Sequence, residues 1–230
     1  MAKTPIRNTG TLKQRVKTAR KRSNSSTRWL QRQLNDPYVH QAKRDGYRSR
    51  AAYKLAELDD KFHLLKPGKQ VLDLGAAPGG WTQIAVARTR SEEQKPTVAA
   101  IDILDMDSIA GAQFLKLDFM KDDAPDLIRA LIPNGVDVVL SDMAPNTTGH
   151  AATDHMRIMA LLEAAYEFTC EVLNKGGSFA AKVFQGGAEK ELLAQMRKDF
   201  TSVKHAKPKA SRADSSEMYV VALGFKGRAS

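Results

Sequence analysis

Five carboxylates and a lysine recur along the chain, each at the edge of an apolar stretch: Asp73, Asp102, Asp118, Asp142, Lys182 and Glu217. Any one of them could be a helix cap or a surface charge. Six that converge on one edge of a sheet are hard to explain as packing, because each is costly to bury without a partner. Carboxylates can accept hydrogen bonds from a ribose diol, and a lysine among carboxylates can orient or deprotonate a hydroxyl. Asp102 lies 22 residues after Gly80, close to the offset of about 20 at which an acidic side chain reads a ribose in nucleotide-binding folds. Asp118 precedes Phe119 and Met120, so an apolar side chain could cover an adenine ring beside a carboxylate.

The elements that would position these groups begin with residues 73–81, Asp-Leu-Gly-Ala-Ala-Pro-Gly-Gly-Trp. Val71, Leu72 and Leu74 lead into this run of small residues, and a helical pattern follows from Trp81. Strand, tight turn and helix N-terminus together form the place where an open α/β sheet receives a nucleotide-like ligand. Glycines there let backbone approach the ligand closely. The Gly-x-Gly-x-x-Gly spacing is missing, with Ala77 at what would be its second glycine. That disfavours a NAD-dependent oxidoreductase, but the loop alone does not separate NAD from S-adenosylmethionine (AdoMet).

Downstream, the pattern predicts strands at about 70–74, 97–102, 113–117, 136–141 and 177–184, and helices at about 79–89, 122–132 and 153–174. One helical turn is expected between the second and third strands, and Gly176 and Gly177 are expected to stop the long helix. A helix near 188–198 leads to strands near 201–206 and 217–224. Alternating strands and helices imply a mainly parallel sheet covered on both faces. The loop 206–216 is too short for a helical crossover, so the last strand should run antiparallel. Upstream, Trp29, Leu30 and Leu34 suggest a short docking helix closed by Pro37. Between Tyr38 and Lys61 a helical pattern offers Tyr53, Leu55, Leu58 and Phe62 on an apolar face and Lys43, Arg44, Arg48, Arg50 and Lys54 on a basic one.

Composition narrows the class. The chain has 230 residues and a net charge of +10, long enough for one α/β domain with an appendage. Residues 1–35 hold ten Lys or Arg and no acid, so the remaining 26 basic residues balance all 26 acidic ones. A basic arm beside a neutral domain suits a polyanion partner through counterion release, or is a solvated tail. No apolar run approaches the roughly 20 residues of a membrane span. The single cysteine, Cys170, excludes an internal disulfide, and the five histidines show no zinc-site spacing. A reducing cytoplasm and no structural metal are expected.

Together with three further stretches, the loop at 73–81 carries a resemblance. The loop 73–81, Ser-Asp-Met-Ala-Pro-Asn at 141–146, Gly-Gly-Ser-Phe-Ala-Ala-Lys-Val-Phe-Gln-Gly at 176–186 and Ser-Ser-Glu-Met-Tyr at 215–219 resemble the FtsJ family of AdoMet-dependent ribose 2′-O-methyltransferases. So do Ser-Thr-Arg-Trp-Leu at 26–30 and Tyr-Arg-Ser-Arg-Ala-Ala-Tyr-Lys-Leu at 47–55. The likeness runs from about Ser25 to Phe225 and is strongest to bacterial members that methylate a uridine of large-subunit (23S) ribosomal RNA. It implies a Rossmann-like class I methyltransferase fold, a seven-stranded mainly parallel sheet with the last strand antiparallel.

The resemblance also implies roles. The family's catalytic tetrad falls on Lys54, Asp142, Lys182 and Glu217, and its AdoMet contacts on Gly79, Trp81, Asp102, Asp118 and Asp142. The organisation expected is a basic arm at 1–24, a helical extension at 25–62 that carries Lys54, and a methyltransferase domain at 63–230. The partner expected is ribosomal RNA within the large subunit, with no membrane and no obligate protein partner. A lysine that deprotonates a 2′-hydroxyl must be neutral, which a nearby cation promotes and nearby carboxylates oppose. Lys182 is therefore either the general base or an orienting donor. A tRNA or messenger-cap substrate, or a non-catalytic RNA-binding role, are the competing functions.

Overall fold

The computed structural model describes residues 15, 24–145, 150–184 and 190–227. The basic arm expected at 1–24 falls almost wholly outside the described residues, as do Asn146, Gln185 and Gly186 of the quoted motifs and the Trp29 side chain.

Seven strands form one sheet: β1 (Val71–Leu74), β2 (Val98–Asp102), β3 (Ala112–Lys116), β4 (Val136–Ser141), β5 (Leu173–Phe184), β6 (Phe200–Ala206) and β7 (Glu217–Phe225). Their order is β3-β2-β1-β4-β5-β7-β6. β1 to β5 pair in parallel, and β7 runs antiparallel between β5 and β6. The expected antiparallel last strand is present. Among the described residues seven helices accompany the sheet: α1 (Asn24–Leu34), α2 (Pro37–Arg44), α3 (Ala51–Phe62), α4 (Gly80–Thr89), α5 (Ala124–Leu131), α6 (Ala151–Val172) and α7 (Lys190–Asp199).

The sheet separates two cores. Leu72, Leu74, Ile101, Val139, Tyr166, Phe179 and Val220 belong to one, while Val71, Val138, Leu140, Ala180, Tyr219 and Val221 join Leu55, Leu58 and Trp81 in the other. Side chains alternate between the faces of a strand, and this alternation decides where the polar residues go. Asp73 follows Val71, Asp142 follows Leu140, Lys182 follows Ala180, and Glu217 precedes Tyr219 by the same step of two. All four therefore share the sheet face that packs against α3 and α4, and α3 brings Lys54 to it.

Four local expectations are corrected. Pro37 opens a helix instead of closing one: it is the first residue of α2, capped by Asp36, whose carboxylate accepts from the Tyr38 N–H at 3.0 Å. The helical pattern between Tyr38 and Lys61 is two helices, broken at Gly46, which has φ 77°. Gly176 and Gly177 do not stop the long helix. α6 ends at Val172 and the chain passes straight into β5, where the two glycines occupy the irregular stretch in which pairing with β4 shifts. Segment 103–111 contains no helical turn.

Candidate active site

A cleft of about 590 Å³ opens at the carboxyl ends of β1 to β4, with Gly75, Ala77, Asp102, Asp118, Asp142 and Met143 among its walls. Gly75 has φ 78°, and a Cβ on it would lie 2.8 Å from Met143, so only glycine lets the first strand's turn pass beside the fourth's. The Ala77–Pro78 peptide is cis.

Asp102 fixes this loop from across the cleft. One of its oxygens accepts from the Ala77 N–H and the other from the Leu104 N–H, both at 2.8 Å. Asp118 accepts from the Met120 N–H at 3.1 Å. Neither carboxylate exhausts its lone pairs on these bonds. Ile103, Leu104 and Met120 stand exposed around them at 59%, 64% and 53% and form an apolar part of the cleft wall. Phe119 also lines the cleft, its ring edge-on to Phe168 at 5.8 Å.

The other two expected cofactor contacts lie differently. Gly79, φ 109°, is the N-cap of α4, and a Cβ there would strike Ile109 and Met106 at 2.7 and 2.9 Å. Trp81 is buried in the second core, where its indole N–H donates to the Ala51 carbonyl at 2.9 Å and its ring packs 5.5 Å from Tyr219. Neither side chain lines the cleft.

Beside the cleft lie two ion pairs. Lys182 Nζ is 2.8 Å from the Asp142 carboxylate and donates to the Asp142 carbonyl at 2.9 Å. Lys54 Nζ reaches both carboxylate oxygens of Glu217, at 2.7 and 2.9 Å. All four side chains are at most 15% exposed. Burial alone would raise the Asp142 carboxyl. The charges of Lys182 and Lys54, with hydrogen bonds from Lys182 and Tyr219, override it and hold Asp142 below the ordinary carboxylate range.

Tyr219 escaped the sequence reading, although it stands in the quoted 215–219 stretch. Its hydroxyl donates to Asp142 at 2.8 Å and its ring lies 5.8 Å from the Lys54 ammonium. Burial, then the Asp142 and Glu217 charges, push its phenol well above the usual value, so it remains a donor. Ser211 adds a hydroxyl donor to Glu217 at 2.9 Å. No spacing signal marks Ser211, which comes from the 206–216 loop.

The basic face expected on residues 43–54 is largely spent on the fold. Arg48 donates to the Asp107 and Ser108 carbonyls at 2.6 and 2.8 Å, clasping segment 103–111, and the Arg48 N–H bonds Gln83 at 2.8 Å. Arg50 pairs with Asp36 and donates to the Ala210 carbonyl. Tyr53 and Tyr47 pack edge-on at 5.4 Å. Among the described residues no group of three or more His, Cys, Asp or Glu could hold a metal ion, and no helix is long and apolar enough to cross a membrane.

The FtsJ-like methyltransferase family model matches residues 47–225, a span that holds the cleft and both ion pairs. The chain belongs to this family. FtsJ-like relatives extend beyond that span: a ribosomal RNA large subunit methyltransferase E of Parvibaculum lavamentivorans is 62% identical over 94% of this chain and 88% of its own length. A protein of the same name from a Bradyrhizobium strain is 60% identical over 95% of each chain. A solved structure described as a ribosomal RNA methyltransferase, from Plasmodium falciparum, superposes with a TM-score of 0.70 at 32% identity, covering 79% of this chain and all of that one. With the fold and family agreeing, the chain is a methyltransferase with a Rossmann-like sheet.

Proposed function

We propose that this methyltransferase transfers a methyl group from AdoMet to the ribose 2′-oxygen of a uridine in large-subunit ribosomal RNA, in the cytoplasm. The observation that carries the reading is the pair of lysine–carboxylate contacts, Lys182–Asp142 and Lys54–Glu217, beside a cleft floored by a glycine loop.

The cleft residues suit AdoMet. Asp102 and Asp118 retain acceptor capacity for a ribose and an adenine edge, and Ile103, Leu104 and Met120 offer the apolar faces an adenine ring needs. Asp142, on the cleft wall, adds negative charge toward a cationic ligand. Gly79 and Trp81 serve by shaping the turn and anchoring α4. Bound AdoMet supplies a methyl group activated by its sulfonium centre.

The chain's own residues then handle the hydroxyl. A 2′-hydroxyl is a weak nucleophile, so alignment supplies much of the rate. Lys182 is held by two oxygens of Asp142 and Lys54 by both oxygens of Glu217, which leaves each ammonium fixed in direction with a proton to donate. In this arrangement Lys182 acts as the orienting donor that stabilises developing charge on the 2′-oxygen, and the proton leaves to solvent. A second cavity, of about 340 Å³, adjoins Lys54 and Glu217 and is bordered by Arg32, Asp214 and the Asp36-paired Arg50 and Arg212, with Arg32 placed to meet an approaching RNA backbone.

The names of the relatives support the ribosomal substrate, and the ten basic residues of the first 35 support a polyanion. Incubation with methyl-labelled AdoMet and large ribosomal subunits, followed by mapping of the label, tests the proposal. Label on one uridine ribose is expected. Label on a base, or label on tRNA with none on ribosomal RNA, overturns it.

A further inference from the structure

Three carboxylates meet behind and along the cleft, and their charges are compensated unequally. Asp142 has Lys182 and Tyr219 in contact. Asp102 accepts from two backbone N–H groups. Asp73, at the end of β1, is fully buried and receives one hydroxyl bond, from Thr82 at 2.7 Å, while its other oxygen has no hydrogen-bond partner. The charged groups that face Asp73 are Asp142 from β4 and Asp102 from β2, both of the same sign. The nearby lysines, Lys182 and Lys54, are engaged by Asp142 and Glu217.

An uncompensated buried charge is avoided by neutralisation. Burial first, then the Asp142 and Asp102 charges, push the Asp73 carboxyl up to about 7, against the lowering effect of the Thr82 bond. A cation that enters the cleft changes this balance. Asp142 is already supported as an anion by Lys182 and Tyr219, whereas Asp73 is fully buried with one oxygen unpartnered, so Asp73 is the group with a proton to lose.

We propose that Asp73 holds a proton while the cleft is without its cofactor and releases it when the positive charge of AdoMet enters, so that cofactor affinity depends on pH through a carboxylate lying behind the cleft wall. This rests on reading AdoMet as the donor. Asp73 is a positioning residue: it touches the Thr82 hydroxyl at the start of α4 and acts through the field at the site. The sign follows from linkage. Below the pH at which Asp73 ionises, binding must displace a proton, so affinity rises as pH rises toward neutrality and levels off above it. The demethylated product lacks the sulfonium charge, so its affinity should climb less over the same range.

Calorimetry of AdoMet binding to the full chain from pH 6 to pH 8, in buffers of different ionisation enthalpy, reads both the affinity and the protons released. AdoMet affinity should rise by about tenfold across that range, as expected for a group ionising near 7, with buffer-dependent heat showing proton release. Asp73→Asn should remove both effects, and subtracting its profile separates Asp73 from the titration of the cofactor itself. Thr82→Val, which deletes the one bond favouring the anion, should move the rise to higher pH. An Asp73→Asn profile identical to that of the unmodified chain overturns the proposal, and so does AdoMet binding with pH-independent affinity and buffer-independent heat. Failure of AdoMet to bind at any pH would instead overturn the donor assignment, and this inference with it.

Discussion

The cleft and the lysine cluster lie at the same sheet edge, yet they are built by opposite means. The cleft is made from the turns that follow neighbouring strands, with walls drawn from Leu74 to Leu161. Asp102 bonds the N–H two residues ahead and one in the glycine loop, Asp118 bonds the N–H two residues ahead, and the walls are backbone and exposed apolar side chains. The cluster is made at long range: Lys54 meets Glu217 across 163 residues, Tyr219 meets Asp142 across 77, and Lys182 meets Asp142 across 40. A site for a cofactor can be built largely from the loops that follow neighbouring parallel strands. A site that aligns a second substrate's hydroxyl has to be assembled from several elements. Asp142 belongs to both, since it lines the cleft and holds Lys182.

If the two regions divide the work, removing Lys182 should damage chemistry alone. Lys182→Ala is expected to slow single-turnover methyl transfer to large ribosomal subunits by about 10²- to 10⁴-fold, the usual worth of a positioned proton-handling group. AdoMet affinity should hold or rise, because Asp142 then faces the cleft without its ion-pair partner. A loss of affinity comparable to the loss of rate would mean that the regions are one site.

Asp73 gives a second way to separate them, through stability. In the folded chain its carboxyl keeps a proton up to about pH 7, whereas an unfolded aspartate loses it near pH 4. Between those values the unfolded chain binds fewer protons, so stability falls as pH rises, and above about 7 the deficit is constant. Asparagine cannot ionise. Asp73→Asn should therefore gain on the order of 2–4 kcal/mol relative to the unmodified chain between pH 5 and pH 8, read by denaturant unfolding at each pH. A gain that does not change with pH would mean that Asp73 does not titrate over this range in the folded chain.

The same contrast explains what the sequence made legible. Strand and helix alternation exposes the sheet, because β1, β2 and β4 are short, largely buried apolar runs and the β1–β2, β3–β4 and β4–β5 crossovers are helices, with β2–β3 the exception. β1 is buried at all four positions. Period-two alternation likewise puts Asp73, Asp142, Lys182 and Glu217 on one face. Illegible were features fixed by tertiary contact. The N-terminal arginines looked like a free basic face, but Arg48 and Arg50 are consumed by backbone carbonyls on segments 103–111 and 206–216, which no local pattern announces. The glycines at 176 and 177 read as a helix stop because a helix usually ends in a left-handed residue. α6 ends in an extended one, Leu173 at φ −78° and ψ 127°, and glycine is needed only further on, where a Cβ on Gly177 would collide with Leu173 at 2.7 Å.

Asp102 sharpens the cofactor side of the division. Its carboxylate ties the glycine loop to segment 103–111, so Asp102→Ala should loosen the cleft floor and remove a ribose acceptor together. Loss of charge-assisted hydrogen bonds worth about 1.5–3 kcal/mol corresponds to a fall in AdoMet affinity of roughly 10- to 100-fold. Affinity for ribosomal RNA, measured without AdoMet, should not move. A parallel fall in RNA binding would show that segment 103–111 belongs to both surfaces.

Tyr219 tests the shared carboxylate from the cluster's side and carries the smallest expected effect. Its hydroxyl is one of two side-chain donors on Asp142, and its ring packs between Trp81 and the Lys54 ammonium. Tyr219→Phe deletes the donor and leaves the ring. The hydrogen bond to a paired carboxylate is worth about 1 kcal/mol net, so single-turnover rate should fall by roughly fivefold, with AdoMet affinity changed in the opposite sense or not at all. Tyr219→Leu also removes the aromatic face and should cost distinctly more. If the phenylalanine variant lost affinity and kept its rate, Asp142 would be serving the cofactor first, and the lysine it holds would follow from that role instead of defining it.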